Sequence, residues 1–455
     1  MNPPRPIAAL ALALVTASAA VPSLAAAQAA PITLEDALAR ATRHNVELSL
    51  AREDAAVAGS DRVSALSNVL PRLDLSSTFG RSFIGAQSGY VTSTGIPVPA
   101  QPASDQAYYS LGATLSQPLF DWTAFQGVRA SGYQLAAAEK QYDEQVLSTA
   151  FEVTRRFYEV VRAERTLAVL EKTAARTQDL VARADALFAA GRAPRADTYT
   201  NRVNLANDQI NVERQRARVN AARTSLGQAI GLTGSEAANL TVAVPPVMDR
   251  TDLRPGQPPA LDELIATAQK RRPAVAAAKA QVAAADASVQ SAWGGYLPSV
   301  GAQVSYNRSG PELTGNAGVY GDLTREYSSS ALVVASWNLF EGRRTQAQVQ
   351  RAESSARRAR TGEEATALRV AKEISDARAV AASGATQVGL AADNLATADK
   401  ALSLARERLE AGLATQLEVR EASLNLTRAE LSLVEARIDH AVAIADLARA
   451  SGGPL

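Results

Sequence analysis

Residues Leu409–Glu421 read Leu-Glu-Ala-Gly-Leu-Ala-Thr-Gln-Leu-Glu-Val-Arg-Glu, and a near copy of this stretch occupies Phe188–Thr200. In both copies a long helical pattern runs into Ala-Gly, and an acidic residue, Asp197 or Glu418, follows six positions after the glycine. Glycine suits a helix C-terminus because it adopts the left-handed conformation without a Cβ penalty. A carboxylate is favoured in the first turns of the next helix. Each stretch therefore predicts the tip of a helical hairpin.

The two tips are part of a duplication that covers the chain. A Leu-Pro pair and a Leu-Phe pair recur in each half in the same order: Leu70-Pro71, Leu297-Pro298, Leu119-Phe120 and Leu339-Phe340. The two halves are 28–250 and 251–455. In each, the pattern predicts a helix, a strand, a loop, a strand, a very long helix, a tip and a return helix. The proline-rich stretch 230–260 is interpreted as the linker between the halves.

The apolar residues change their period after each Leu-Pro pair. Leu73, Leu75 and Phe79 share one parity, which is the periodicity of a strand. Strands are expected at about 72–83, 108–120, 298–308 and 327–340. The resulting β-hairpins are marginal in water when isolated, and four strands cannot close a barrel because about eight is the observed minimum. Runs of about ten alternating residues match a tilted membrane-spanning strand, so copies of the chain would have to pool their strands.

Each half begins with a helical pattern. The first runs from Leu34 to about Val69, with Thr33 as its N-cap. Its counterpart covers about Leu261–Tyr296 and is interrupted at Pro273. Each pattern ends at the proline that precedes the first strand of its half.

The long helices, expected at 121–190 and 341–411, contain no proline between their ends. At 1.5 Å per residue each would reach about 100 Å, which is too long to bury in one globular domain. The helix after the second tip carries an apolar residue every seven positions, a coiled-coil pattern: Leu417, Leu424, Leu431, Ile438 and Ala445. A similar seam in the first half includes Thr177, Val181, Ala184 and Phe188.

The composition excludes several classes of site. The chain has no cysteine, two histidines and two methionines, so it offers neither a disulfide framework nor a transition-metal cluster. Its 47 basic and 46 acidic side chains leave a net charge of +1, which provides no electrostatic footprint for nucleic acid. His44 and His440 lie in separate helical patterns without local partners. We therefore predict no catalytic site, no cofactor and no metal site.

The N-terminus carries a targeting pattern. Residues 1–27 contain one positive charge at Arg5, an apolar run from Ile7 to Val21 and small residues at the end. This predicts a secretory signal peptide rather than a membrane anchor. No later segment approaches the roughly 18 uninterrupted apolar residues of a spanning helix. The mature chain is expected to be exported without a helical membrane span.

Taken together, these patterns resemble the TolC-like outer membrane efflux proteins over essentially the whole mature chain. The ordered landmarks carry the resemblance: duplicated halves, Leu-Pro before the first strand, Leu-Phe after the second, and the glycine tips. The resemblance implies a mainly helical fold in a homotrimer, with four strands per chain forming a 12-stranded barrel in the outer membrane lipid. Long antiparallel coiled-coil helices would extend this barrel as a hollow duct through the periplasm.

The resemblance also implies a function: the outer membrane exit duct of a tripartite efflux or type I secretion system. Such a duct conducts passively, and an inner-membrane transporter of the RND or ABC type supplies the energy through a periplasmic adaptor (membrane fusion) protein. Drug efflux and protein secretion stay open as alternatives because both use this duct. The competing interpretation is a non-conducting periplasmic or secreted coiled-coil interaction protein.

In this family the pore constriction is a double ring of carboxylates after the second tip, with an acidic residue after the first tip. Counted from the tip glycines, the matching residues are Glu418, Glu421 and Asp197. Glu418 and Glu421 lie three positions apart and share a helix face. Copies around an axis would bring these charges together, where they repel one another and favour cations. The alternative is ordinary solvated helix charge.

The family's tips dock on the adaptor through small and apolar residues around the glycine. The matching residues are Gly191, Ala193, Pro194, Gly412, Leu413 and Ala414.

The chain departs from the family in two places. A tyrosine and an arginine that lock the closed state are replaced by Leu409 and Ala414. Arg192 and Arg195, beside the first tip, are predicted to replace that lock by pairing with Glu418 or Glu421. The first helix, where the family often has Asn-Pro, contains Asn45-Val46 instead.

Overall fold

A computed structural model of the chain describes residues 31–244, 260–314, 318–324 and 326–453. The predicted signal peptide, 1–27, lies outside the described residues. In chain order the elements are α1 (Leu34–His44), α2 (Val46–Ser67), β1 (Arg72–Ile84), β2 (Tyr90–Val91), β3 (Pro97–Val98), β4 (Ser104–Phe120), α3 (Trp122–Ala189), α4 (Arg195–Ala229), α5 (Gly234–Ala238), α6 (Leu261–Arg271), α7 (Pro273–Trp293), β5 (Ser299–Gly310), β6 (Tyr327–Ser336), α8 (Arg344–Glu410) and α9 (Gln416–Ser451).

The first helical segment is broken, where the sequence predicted one continuous helix. Thr33 caps α1 as expected, and its side chain accepts a hydrogen bond from the backbone N–H of Asp36. The chain then leaves the helical conformation at Asn45 (φ −71°, ψ 128°). The Asn45 side chain accepts from the N–H of Leu48 at 3.0 Å and donates to the carbonyl of Ala229 at 2.9 Å. Asparagine thus makes the break without proline because its side chain caps the next helix.

The two predicted hairpins pair with each other. The strand order is β1-β4-β5-β6, all antiparallel, so β4 and β5 join the halves into one four-stranded sheet. Both predicted hairpins form, as β1–β4 and β5–β6, whereas the pairing of β4 with β5 was not predicted from the sequence. β4 begins at Ser104, earlier than expected, and β6 ends at Ser336, before the Leu-Phe pair. The loop after β1 contains the small β2–β3 hairpin.

The sheet has one apolar and one polar face. One row across all four strands consists of Leu73, Leu115, Val304 and Ala331. The adjacent row, on the opposite face, consists of Asp74, Thr114, Ser305 and Ser330. The apolar side chains are not covered: Leu73 is 71% exposed and Phe79 is 69% exposed. Strands β1 and β6 form the two edges of the sheet within this chain.

Across the residues that the structure describes, no helix combines the length and the apolar character that a membrane-spanning helix requires.

Two helices run most of the length of the molecule. α3 has 68 residues and α8 has 67, so each is about 100 Å long at 1.5 Å per residue. Near the sheet, α3 packs against α2 and α7, and near the tips it packs against α4 and α9. α8 lies beside α7 and then beside α9. The layer order is therefore α2, α3, α7, α8 near the sheet and α4, α3, α9, α8 near the tips.

The buried seam of α9 differs from the predicted one. Leu417 is 67% exposed, and Leu424 and Leu431 are only half-buried. The buried residues of the same seven-residue spacing lie two positions further along: Val419, Leu426 and Leu433. Ile438 of the predicted seam is buried, at 1% exposure. The prediction failed at the positions nearer the tip because α9 packs against both α8 and α3, and its buried stripe there is turned towards the space between them. In α3, Thr177, Val181 and Ala184 are buried as predicted, whereas Phe188 is 43% exposed.

The stretch expected to link the halves is partly packed. Residues 230–244 include α5 and a parallel bridge between Ile32 and Val242. Leu232 and Val242 are buried in a core cluster with residues of α1, α3 and α4. The first part of the expected linker is therefore integral to the first half, and 245–259 lies outside the described residues.

Candidate functional site

Both predicted tips are tight turns at the end of the molecule opposite the sheet. Gly191 has φ +71° and Gly412 has φ +74°. At the first tip the N–H of Arg192 donates to the carbonyl of Leu187 at 2.8 Å, and at the second the N–H of Leu413 donates to Arg408 at 2.8 Å. These bonds, with one from each glycine, form a Schellman motif. The sequence therefore predicted the turn conformation at both glycines.

The helices that follow the tips begin differently. Pro194 precedes α4 without a side-chain cap, and Asp197 lies in the first turn. Thr415 precedes α9 and forms a capping box with Glu418: each side chain accepts from the other's backbone N–H at 3.3 Å. Sequence reasoning missed this box, although the spacing Thr-x-x-Glu is its usual signal. Glu418 thus caps a helix in addition to its predicted place at the constriction.

The structure brings the starts of α4 and α9 together. The side-chain amide of Asn201, on α4, donates to the side-chain carbonyl of Gln416, the first residue of α9, at 2.7 Å. The same amide donates to the backbone carbonyl of Asp197 at 3.0 Å. The predicted constriction residues after the two tips therefore stand on adjacent helix ends. Asp197 is half-buried, whereas Glu418 and Glu421 are exposed.

The predicted pairing of Arg192 or Arg195 with Glu418 or Glu421 is not formed within the described part of this chain. Glu418 lies 4.0 Å from Arg408, and Glu421 has no ion-pair partner among the described residues. Arg195 instead lies over the rings of Phe188 and Tyr199, 5.9 and 5.4 Å from their centroids. Pairing of Arg192 or Arg195 with a carboxylate of another copy stays a prediction.

The residues predicted to dock a partner lie at the accessible end of the hairpins. Leu413 is 71% exposed, Gly191, Pro194 and Gly412 are exposed, and Ala193 and Ala414 are half-buried. Leu409, at one of the positions where the family has its lock, packs against the apolar cluster that contains Val419 and Leu426. Leu409 therefore contributes to the apolar contact between α8 and α9 and not to a hydrogen bond or ion pair with a neighbouring helix.

A buried ion pair ties the two hairpins together above the tips. Arg420, on α9, donates to both carboxylate oxygens of Asp208, on α4, at 2.9 and 3.1 Å. It also donates to the hydroxyl of Thr177, on α3, at 2.6 Å, and that hydroxyl donates to Asp208 at 2.6 Å. The side chains of Arg420 and Asp208 are only 11% and 9% exposed. Sequence reasoning missed this cluster because its three members come from three separate helices.

Further polar contacts join α3 and α9 next to this cluster. Thr173 and Thr427 share a buried hydrogen bond of 2.8 Å, and Glu430 accepts ion pairs from Arg176 at 2.6 Å and Lys172 at 3.1 Å. The seam between α8 and α9 is apolar by contrast. The α8–α9 hairpin is therefore held internally by apolar packing. Ion pairs, in contrast, join α3 to α9 and also join α3 to α4, where Arg223 lies 2.7 Å from Glu164 and Arg216 lies 3.1 Å from Glu171.

No group of three or more residues able to hold a metal ion occurs within the described ranges 31–244, 260–314, 318–324 and 326–453.

The sequence matches a known family over most of its length. The family model, described as outer membrane efflux protein, aligns with residues 34–232 and 264–453. Among curated proteins, the chain is similar to outer membrane protein OprJ of Pseudomonas aeruginosa, with 26% identity over 202 residues. That match spans 44% of this chain and 40% of the relative's length.

Solved structures have the same fold. The Campylobacter jejuni CmeC outer membrane channel superposes with a TM-score of 0.78 at 18% identity, covering 92% of this chain and 85% of that one. The outer membrane protein VceC of Vibrio cholerae gives 0.75 at 18% identity, covering 92% and 96%. The open state of the Neisseria gonorrhoeae MtrE outer membrane channel gives 0.76 at 17% identity, covering 92% and 89%. The predicted duplicated, mainly helical fold is confirmed.

The family match also confirms the predicted outer membrane location. This chain belongs to the outer membrane efflux protein family.

Proposed function

We propose that this chain is the outer membrane exit duct of a tripartite efflux or type I secretion system. It conducts substrates passively as a homotrimer, from an inner-membrane transporter through the periplasm and the outer membrane. The observation that carries this proposal is the amphipathic four-stranded sheet, which has two unpaired edges within the chain and stands on helices about 100 Å long.

The sheet supports a barrel shared between copies. Unpaired strand edges expose backbone donors and acceptors, which lipid cannot satisfy, so a sheet in a membrane has to close. Pairing of β1 of one copy with β6 of the next satisfies both edges. The exposed apolar row that contains Leu73 and Val304 then faces lipid, and the polar row that contains Asp74 and Ser305 lines the lumen.

The helical layer also has two free sides near the tips. α4 forms one side and carries exposed Tyr199, Val203 and Ile210. α8 forms the other side and carries exposed Leu390 and Leu404. These apolar stripes suit contact between the α4 side of one copy and the α8 side of the next. Such a head-to-tail contact generates a ring when the rotation closes.

The constriction is assigned to Asp197, Glu418 and Glu421 at the tip end of this ring. Around an axis, copies of these carboxylates repel one another and attract cations, which makes the passage cation-selective. The exposed residues at Gly191 and Gly412 form the docking surface for a periplasmic adaptor, which connects the duct to an RND or ABC type transporter. The chain itself needs no catalytic activity for this role.

The oligomeric state separates this proposal from a coiled-coil interaction protein. Protein extracted from membranes in detergent is expected to migrate as a trimer on SDS gels and to shift to a monomer on heating, because pooled strands form a closed hydrogen-bonded barrel. The measurement compares heated and unheated samples of the same preparation. A monomer that stays soluble without detergent would instead support the non-conducting periplasmic or secreted protein.

A further inference from the structure

The part of α8 nearest the sheet carries an exposed pair of arginines, Arg351 and Arg358. Arg351 and Arg358 are exposed and lie seven positions apart, so they share one helix face. Neither has an ion-pair partner among the residues that the structure describes. Arg360 pairs with Asp286 of α7 at 2.7 Å. Arg358 lies about 160° around the helix from Arg360 at 100° per residue, so the unpaired arginines face away from α7.

The opposite side of the layer carries a matching acidic stripe. Glu47, Asp54 and Asp61 on α2 are all exposed and also repeat every seven positions. Asp54 and Asp61 have no ion-pair partner in the described part of the chain. Leu48 is the buried residue of α2, and Asp54 and Asp61 lie about 120° and 140° around the helix from it at 100° per residue. The acidic stripe therefore also faces away from its own layer.

We infer that the arginine stripe of α8 (Arg351 and Arg358) binds the acidic stripe of α2 (Glu47, Asp54 and Asp61) on a second copy of this chain. The inference rests on the proposed trimer and adds the recognition between its subunits. α2 and α8 are the two outer helices of the layer near the sheet, and they run in opposite directions. Each stripe begins within about 10 Å of the helix end nearest the sheet, so the opposite charges lie at similar heights.

The charged stripes differ in role from the apolar ones nearer the tips. Exposed ion pairs add little stability one by one, but complementary charges select a partner and fix its register. Because both stripes repeat every seven residues, sliding one helix past the other by part of a repeat separates every pair. The ion pairs thus set the height of one subunit against the next, and the strands of the barrel then meet in register.

Charge reversal tests this inference in the full-length protein. Arg351→Glu/Arg358→Glu places like charges across every subunit contact, and the SDS-resistant trimer is expected to fall by about tenfold. Asp54→Arg/Asp61→Arg is expected to give the same loss. The four substitutions together restore opposite charges and should recover the trimer. Arg357→Glu, next to Arg358 but on another face, where Arg357 lies 4.0 Å from Glu353 of its own helix, serves as the control and should leave the trimer unchanged.

Because the chain has no cysteine, engineered pairs give a second readout. Arg358→Cys combined with either Asp54→Cys or Asp61→Cys should yield a disulfide-linked trimer in one of the two combinations, whereas Arg357→Cys with the same partners should not. A conducting trimer that neither cross-links nor responds to charge reversal would contradict the inferred contact between the two stripes. It would not contradict the proposed duct. A wild-type chain that never forms a trimer would overturn both.

Discussion

Gly412→Arg is expected to abolish assembly with a periplasmic adaptor while the protein still folds. Gly412 has φ +74°, so any other residue there is strained by about 1 kcal/mol. A Cβ at this position meets nothing within 4 Å, so the fold tolerates the change. The long charged side chain would nevertheless cover the tip next to Leu413, which is 71% exposed and forms the centre of the proposed docking surface.

The measurement is cross-linking or co-purification of the adaptor with wild-type and variant protein. Gly389→Arg is the control, since Gly389 lies within α8, about 30 Å before the tip, and a Cβ there also meets nothing within 4 Å. Adaptor binding should be lost only in the tip variant. If the adaptor still cross-links to Gly412→Arg, the tips are not the docking surface.

Asp208→Ala is expected to destabilise the tip end of the helical layer by about 3 kcal/mol, because it leaves the charge of a buried arginine uncompensated. Asp208 is the bidentate partner of Arg420, at 2.9 and 3.1 Å. The loss of stability should lower the denaturant concentration at the unfolding midpoint. It should also speed proteolysis within the tip-proximal parts of α4 and α9. Asp393→Ala, on the exposed surface of α8, controls for the loss of a carboxylate.

A double variant separates the ion pair from packing. Asp208→Leu/Arg420→Met removes both charges and replaces them with apolar side chains of similar size, which is often neutral for a buried pair. Its stability should approach that of wild type. Equal destabilisation of the single and double variants would show that the loss of side-chain packing, and not the uncompensated charge of Arg420, accounts for the lower stability.

Local signals account for what could be predicted from the sequence. The left-handed conformation of Gly191 and Gly412 was predicted because glycine at the end of a helical pattern has few other roles. The strands were found because apolar residues alternate on either side of Leu75, and the long helices because proline is absent. The family resemblance combined these elements in their order along the chain.

The errors arose where distant parts of the chain meet. At the break, Asn45 makes a local cap on the N–H of Leu48 and also a bond to the carbonyl of Ala229, 184 positions away. No local pattern reveals the second bond. The heptad at Leu417 exists in the sequence, but the contact of α9 with two helices turns Val419 into the core. Arg420 and Asp208 are 212 positions apart, so their pairing could not be predicted from spacing.

The constriction was predicted from the resemblance rather than from geometry. Glu418 and Glu421 follow the family spacing after the tip glycine, and the capping box shows that one of them also has a structural role. A test of the pore must therefore separate charge from capping. Thr415→Ala does this, because it removes the cap at a cost of about 1 kcal/mol and leaves both carboxylates in place.

Planar-bilayer conductance of the detergent-purified protein tests the central claim most directly, with wild type beside Glu418→Ala/Glu421→Ala and Thr415→Ala. The account predicts cation-selective steps for wild type and Thr415→Ala, and larger, less selective steps for the double carboxylate variant. A wild-type protein that never inserts or conducts would contradict the proposed duct, and unchanged selectivity in the double variant would contradict the constriction.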